Sequence, residues 1–323
     1  VFVPRKKLIS VIVPVFNEEE NVERAYQAVR NTFENILNNE YRFEIIFTDN
    51  HSTDNTFQEL TQIADLDSRV RVARFTRNFG FNKSLLTAYL LAKGDAAIQV
   101  DCDLQDPPEL FPRFIEFWEA GHDVVIGLRK TRPEPVWLLE ARKLFYRLLA
   151  SISEDNLMID GGDFRLVDRH ILDSLKEIQV AAPYVRGLVS IFAKNQTGFP
   201  YERRQRQYGQ SKFPLLKLFS MGIDGIVSHT TLPLRIASLL GMSLAVFTLL
   251  LMLVYVTGKL FFGMDWPDGF TTTVILVLFG IAVNAVFLGI IGEYLSRIYQ
   301  QLRGHPLTVI EKGLNLEESR LAV

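Results

Sequence analysis

Cysteine is almost absent from this chain of 323 residues: Cys102 is the only one. An intrachain disulfide framework is therefore excluded, and a reducing compartment is the natural expectation. A surplus of charge of one sign is missing too. Lys and Arg number 35 against 37 Asp and Glu, a formal net charge of −2. Without a basic excess, nucleic acid is not expected as a partner. No leader-like pattern stands at the start: Arg5-Lys6-Lys7 runs straight into a short β-branched stretch, where a signal peptide needs an apolar region of about 7–15 residues and a cleavage site. Internal repeats and low-complexity tracts are also lacking.

What the chain has in plenty is hydrophobic residues, 48% of the total, and they are unevenly spread. Residues 1–230 read as ordinary globular sequence, whereas 232–296 hold most of the surplus. Two apolar runs lie there, 232–262 and 271–295. Each exceeds the ~20 residues needed to cross a bilayer. Arg235 precedes the pair, and Arg297 and Arg303 follow it. The positive-inside rule then places both flanks on the cytoplasmic side. Just before them, 215–226 is amphipathic, with Lys212 and Lys217 beside Leu215, Phe219 and Ile223, as suits a helix lying in a membrane interface. The expected organisation is a cytoplasmic domain over 1–210, an interfacial segment over 211–231, a two-helix membrane region over 232–296 and a cytoplasmic tail over 297–323.

Within the first part, short β-branched runs alternate with helical patterns. Residues 8–16 (LISVIVPVF), 43–47, 70–75, 96–100 and 123–127 read as strands. Helical spacing follows the first at Val22, Ala25, Tyr26, Val29 and Phe33, with Asn17 placed to cap an acidic first turn. Later strands are expected at 164–167 and 198–206. Such alternation predicts an α/β fold with a mostly parallel, doubly wound sheet. Ligands bind at the carboxyl ends of the strands in these sheets. Asn17, Glu18, Asp49, Asn50, Asp101 and Asp103 sit at such ends. Asp101-Cys102-Asp103 is the strongest local signal: two hard oxygen donors at a strand end suit Mg²⁺ or Mn²⁺ together with substrate phosphates.

Five segments occur in order: SVIVPVFNEEENV (10–22), TDNHSTDNT (48–56), RNFGFNKSLLTAY (77–89), DCDLQDPPEL (101–110) and GDFRLVDR (162–169). Together they resemble the inverting family 2 glycosyltransferases of GT-A type. Within that family the chain is similar to the polyprenyl-phosphate glycosyltransferases, namely bactoprenol glucosyltransferases and dolichol-phosphate mannose synthases. The two apolar runs and RQRQYGQSKF (204–213) favour the bactoprenol branch.

The resemblance implies a Rossmann-like sheet domain followed by an interfacial helix and two transmembrane helices. It implies transfer of a sugar, first of all glucose from UDP-glucose, to a polyisoprenyl phosphate, with GDP-mannose and UDP-N-acetylglucosamine as other donors. Pro14, Phe16, Asn17 and Glu18 would line the nucleotide pocket and Asp49 would meet the base or ribose. Asp101 and Asp103, with Gln105 near, would hold nucleotide and metal. Arg129, Arg132, Arg206, Ser211 and Lys212 would gather phosphates of donor and acceptor. The acidic position facing the acceptor maps to Asp163, with Asp160 next.

One departure stands out: where the family commonly has two acidic residues and a glycine, this chain has Asp49-Asn50-His51. That change is the one support for a non-catalytic membrane adaptor. A processive polysaccharide synthase would carry a Gln-x-x-Arg-Trp motif, and none of Trp118, Trp137 and Trp266 lies in one. Self-association in the membrane is compatible with so small a membrane region.

Overall fold

The structure is a computed structural model. It describes residues 6–129 except 39, residues 161–204 except 179, 181 and 182, scattered helical positions between 234 and 261, and residues 269–302 and 306–317. It divides into two compact units, residues 1–214 with 304–323, and residues 215–303.

The first unit is built on a sheet of order β7-β5-β6-β4-β1-β2-β3-β8. Its strands are β1 (Leu8–Val15), β2 (Arg42–Asp49), β3 (Val70–Phe75), β4 (Ala96–Gln99), β5 (Val124–Arg129), β6 (Gly161–Asp168), β7 (Gln196–Tyr201) and β8 (Ile310–Leu314). The centre is parallel, with β1 flanked by β2 and β4 and β3 beyond β2. The flanks are mixed: β6 runs antiparallel to both β4 and β5, β8 antiparallel to β3, and β7 parallel to β5.

Side chains alternate across this sheet as period-2 geometry requires. Ile9, Val11, Val13 and Val15 of β1 enter one core with Phe43, Ile45 and Phe47 of β2. Ile12 and Ile46 enter the opposite one. The first core is covered by α1 (Val22–Asn31), α2 (Thr56–Leu66) and α4 (Phe111–Glu119), through residues such as Val22, Leu60 and Phe114. The second is covered by α3 (Phe81–Leu91), α5 (Arg169–Lys176) and α6 (Val185–Phe192), through Leu85, Ile171 and Val189. A strand buried on both faces has no polar side to alternate with, hence the continuous β-branched run at 8–16.

The structure corrects the sequence expectations in two places. Asn17 does not cap α1, which starts at Val22; it sits in the loop at φ 54°. The tail over 297–323 is not merely a tail, because Ile310–Leu314 adds a strand to the edge of β3. No alternating pattern announced it: Glu311, Lys312 and Gly313 interrupt any apolar alternation.

At the amino end of the parallel strands, a buried ion pair ties together β1, β2, β3 and the turn after α3. Arg71 donates to Glu44 at 2.8 Å and to the Leu91 carbonyl at 2.9 Å. Glu44 also accepts from Ser10 Oγ at 2.6 Å and from the Lys93 amide at 2.7 Å. The Gly94 amide donates to Ser10 Oγ at 2.8 Å, and a Cβ at 94 would lie 2.6 Å from the Ala96 carbonyl. Residue 94 must therefore be glycine for the α3–β4 turn to approach β1 this closely.

In the second unit, α7 spans Phe270–Leu302. Among the described residues it is the one helix long and apolar enough to cross a membrane, over Phe279–Ser296. Leu276, Val277, Phe279, Ile281 and Leu288 are exposed on it. Only parts of 232–262, the first expected span, are described; they are helical, and a Cβ on Gly241 would lie 3.2 Å from the Phe287 ring. The interfacial segment, 211–231, lies outside the described residues.

Glu44→Ala would leave the Arg71 guanidinium buried without its counter-charge. Loss of about 3–5 kcal/mol of stability is expected. Denaturant unfolding of the detergent-solubilised chain measures it; a loss under ~1 kcal/mol would show that the pair does not hold this end of the sheet.

Candidate active site

The carboxyl ends of β1, β2 and β4 meet the amino end of the antiparallel β6. The first two are knitted together. Asn17, in the left-handed conformation, accepts the Thr53 amide through Oδ1 at 2.8 Å, and its own amide donates to Ser52 Oγ at 2.9 Å. The Glu18 amide donates to Thr56 Oγ1 at 2.8 Å, and Glu19 accepts the Asn55 amide at 2.9 Å. Beside this clasp Phe16 is exposed at the end of β1. Asp49 is fully buried at the end of β2. It accepts the Ser52 amide at 2.9 Å and Arg74 Nη1 at 3.3 Å. Asn50 spends its Oδ1 on the Phe79 amide at 2.8 Å, and His51 Nδ1 lies 2.9 Å from the Phe75 carbonyl. The departure at 50–51 therefore has structural work that ties β2 to the β3–α3 loop.

The loop after β4 is the acidic centre. Asp103 accepts the Gln105 amide at 3.1 Å, closing a turn through Leu104 at φ 55°. Burial, with the carboxylates of Asp106, Asp163 and Asp103 nearby, pushes Asp101 up to about 7 against the pull of Arg203. Asp106 is wholly buried and three groups close on it. Arg203 Nε donates at 3.1 Å, Arg129 Nη2 at 3.4 Å, and the Tyr201 hydroxyl donates to Oδ1. Burial and then the Asp106 charge push the Tyr201 phenol up, so it stays the donor. Arg203 Nη2 also reaches Asp101 Oδ2 at 3.4 Å. Gly162 leaves room for Arg129, whose Nε would be 3.2 Å from a Cβ there.

On β6, Asp163 is gripped by both nitrogens of an Arg186 fork, Nε to Oδ1 at 2.7 Å and Nη2 to Oδ2. Arg165 Nη2 lies 3.9 Å from Asp163 Oδ1 and donates to the Gly162 carbonyl at 2.9 Å. Burial alone would raise the Asp163 carboxyl. The Arg186 fork outweighs it, with help from Arg165 and Arg129, and holds the group below the ordinary carboxylate range.

Of the residues singled out from the sequence, the structure gathers Asp101, Asp103, Gln105, Arg129 and Asp163 around the β4 and β6 ends, with Pro14, Phe16, Asn17, Glu18 and Asp49 at the neighbouring β1 and β2 ends. Asp160, Arg132, Arg206, Ser211 and Lys212 lie outside the described residues. Sequence reading missed Asp106, Tyr201, Arg203 and Arg186 as parts of the site. Asp106 stood in a quoted motif and Arg203 opens the basic run 203–206, whereas Tyr201 and Arg186 had no local signal. Among the described residues no group of three or more His, Cys, Asp or Glu is placed to hold a metal ion. The oxygen-only pair Asp101 and Asp103 nevertheless fits Mg²⁺ or Mn²⁺, which take one or two carboxylates and fill the remaining positions with phosphate oxygens and water.

The family described as Glycosyl transferase family 2 matches residues 10–176. The uncharacterized glycosyltransferase YkcC of Bacillus subtilis is 34% identical over 97% of this chain and 96% of its own. The SfII prophage-derived bactoprenol glucosyl transferase of Shigella flexneri is 34% identical over 94% of this chain and 98% of its own. The undecaprenyl-phosphate 4-deoxy-4-formamido-L-arabinose transferase of Proteus mirabilis is 32% identical over 96% and 95%.

With Arg186 in place, the Asp163 pair stabilises the fold above the unfolded carboxyl value of about 3.9, and this contribution is lost as pH falls through the lower folded value. Arg186→Gln removes the fork and leaves burial dominant. The Asp163 titration is then expected to move upward, past its ordinary value. Carboxyl ¹³C shifts of labelled aspartate, followed through a pH series, check this; an unmoved titration would assign the low value to Arg165 and Arg129 instead.

Proposed function

This chain belongs to glycosyl transferase family 2 and is a glycosyltransferase, and from that premise we propose that it transfers a sugar from a nucleotide-sugar to a polyisoprenyl phosphate with inversion at the anomeric carbon. Glucose from UDP-glucose is the first donor, with GDP-mannose and UDP-N-acetylglucosamine as alternatives. The observation that carries the reading is the meeting, at the carboxyl end of the central parallel strands, of an acidic pair, a clasped pair of arginines and a separately held Asp163. The acceptor class rests on relatives named for bactoprenol and undecaprenyl phosphate, which this chain matches over nearly their whole length.

Asp49 accepts a hydrogen bond from the base or ribose, beside Phe16 and the Asn17–Thr53 clasp. Asp101 and Asp103 hold a divalent cation. When bound, that ion supplies neutralising charge to the departing diphosphate. Arg129 and Arg203, oriented by Asp106, offer guanidinium groups to phosphate oxygens.

Asp163 has a narrower task than a general base. A phosphate monoester loses its second proton at about pH 6 and is already a good nucleophile near neutrality. A carboxylate held below about 3.9 is too weak a base to take that proton efficiently. Its ionised form instead anchors Arg186 and Arg165, two cations to one anion. Asp163 thereby holds the two guanidinium groups in place, and they attract the acceptor phosphate.

The apolar runs at 232–262 and 271–295 are read as two spans that keep the catalytic domain on the cytoplasmic face, next to the lipid phosphate. Self-association in the membrane is part of the same reading.

Transfer of labelled sugar to undecaprenyl phosphate in detergent tests the proposal. Activity is expected from one donor, to be abolished by chelator and by Asp103→Ala. Asp163→Asn, which loosens the anchor of Arg186 and Arg165, should weaken use of the acceptor by about 10–100-fold with the donor KM little changed. Transfer that survives chelator, or no transfer from any of the three donors by folded protein, would refute it.

A further inference from the structure

The strand β8 arrives from beyond α7 and is fastened to the catalytic unit at several points. Thr308 and Thr87 share a buried hydrogen bond at 2.9 Å across 221 residues of sequence. Asn315 Nδ2 donates to the carbonyls of Ala64 at 2.9 Å and Val70 at 2.8 Å. Its pairing with β3 is irregular at one place. Arg74 stands opposite Lys312 and Phe75 opposite Ile310, so Glu311 has no partner in the register. A bulge of this kind re-aims the side chain of the extra residue.

Here the bulge aims Glu311 at the β2 loop. Its Oε2 lies 3.4 Å from Arg74 Nε and 3.6 Å from His51 Nδ1. Arg74 is thereby shared. Nη1 reaches Asp49 at 3.3 Å, Nη2 the Ser52 carbonyl at 3.4 Å, and the guanidinium lies 4.5 Å over the Phe57 ring. A free Arg–carboxylate pair closes to about 2.7–2.9 Å. None of these contacts is that short, because one guanidinium is divided between two carboxylates and a carbonyl. Asp49 Oδ1 is committed to the Ser52 amide, so Oδ2 is the oxygen that a further donor must use.

We propose that Glu311 is a positioning residue for nucleotide recognition: by drawing Arg74 toward β8 it holds the Arg74 contact to the buried Asp49 Oδ2 long, at 3.3 Å, so that an N–H of an entering nucleobase can displace it. This inference rests on the reading of Asp49 as the base contact. It makes the segment after the last apolar helix a working wall of the donor pocket. Without the Glu311 charge, Arg74 settles on Asp49, and the base must compete with a guanidinium for the same oxygen.

UDP and GDP binding to the full chain in detergent, measured by titration calorimetry, tests it with Glu311→Gln, Asp49→Asn and the double variant. Glu311 is half exposed, so the Gln variant is expected to unfold at the wild-type temperature. Glu311→Gln should weaken binding of the preferred nucleotide about tenfold, the size of one charge-assisted hydrogen bond, and raise the donor KM while kcat stays level. Asp49→Asn should also weaken binding, and the double variant should be no weaker than Asp49→Asn alone. A Glu311→Gln protein that binds normally, while Asp49→Asn binds poorly, overturns the coupling and leaves the Asp49 reading intact. Equal losses that add in the double variant overturn it as well, by assigning Glu311 to strand docking. Normal binding by Asp49→Asn removes the Asp49 reading and this inference with it.

Discussion

A fully buried carboxylate must be compensated or it will not stay charged, and Asp106 is the one on which the candidate site is assembled. Its three partners come from the ends of β5 and β7 and the loop just beyond. Satisfying Asp106 therefore draws two arginines over the β4 loop, where Asp101 and Asp103 lie. The cations are then oriented by the protein itself, which lowers the cost of ordering them for the phosphates of the proposed donor. Preorganised charge of this kind is the main resource an enzyme has when the chemistry is departure of an anion.

The two ends of the sheet show contrasting uses of the same chemistry. At the amino end, Glu44 and Arg71 are closed on each other and on backbone groups, although Arg71 Nε and Nη2 remain buried without partners. That pair is structural and static. At the carboxyl end, Arg74 and Arg203 each reach toward more than one carboxylate, at 3.1–3.4 Å. Divided contacts are weaker contacts, and such arginines exchange partners at little cost.

How much of this was legible in the sequence follows from the range of each interaction. The central strands were readable because burial on both faces leaves a continuous β-branched run. Asp49, Asp101 and Asp103 were readable because strand ends in a parallel sheet are ligand sites, and the five ordered motifs pointed to the family. Arg186 was not, since its fork to Asp163 spans 23 residues and an intervening helix. Arg203 and Tyr201 meet Asp106 across 97 and 95 residues. Asn17 was assigned to a helix cap because Asn before acidic residues is a cap signature. The backbone turned left-handed there, and its side chain bonded to another loop instead. No sequence pattern marked β8, because an edge strand with one bulge and a glycine lacks the alternation that identifies paired strands.

The position of β8 in the gene has a consequence for biosynthesis. Every other described strand of the sheet is translated before the long apolar helix, and β8 after it. A nascent chain can collapse around β1 to β7 early, yet β3 keeps an open edge until β8 has left the ribosome. Open edges recruit strands from other chains. Completion of the sheet thus waits on delivery of the helix that precedes β8. A chain cut short before that point would present a sticky, unfinished domain, a form that cellular proteases and chaperones can tell from the finished one.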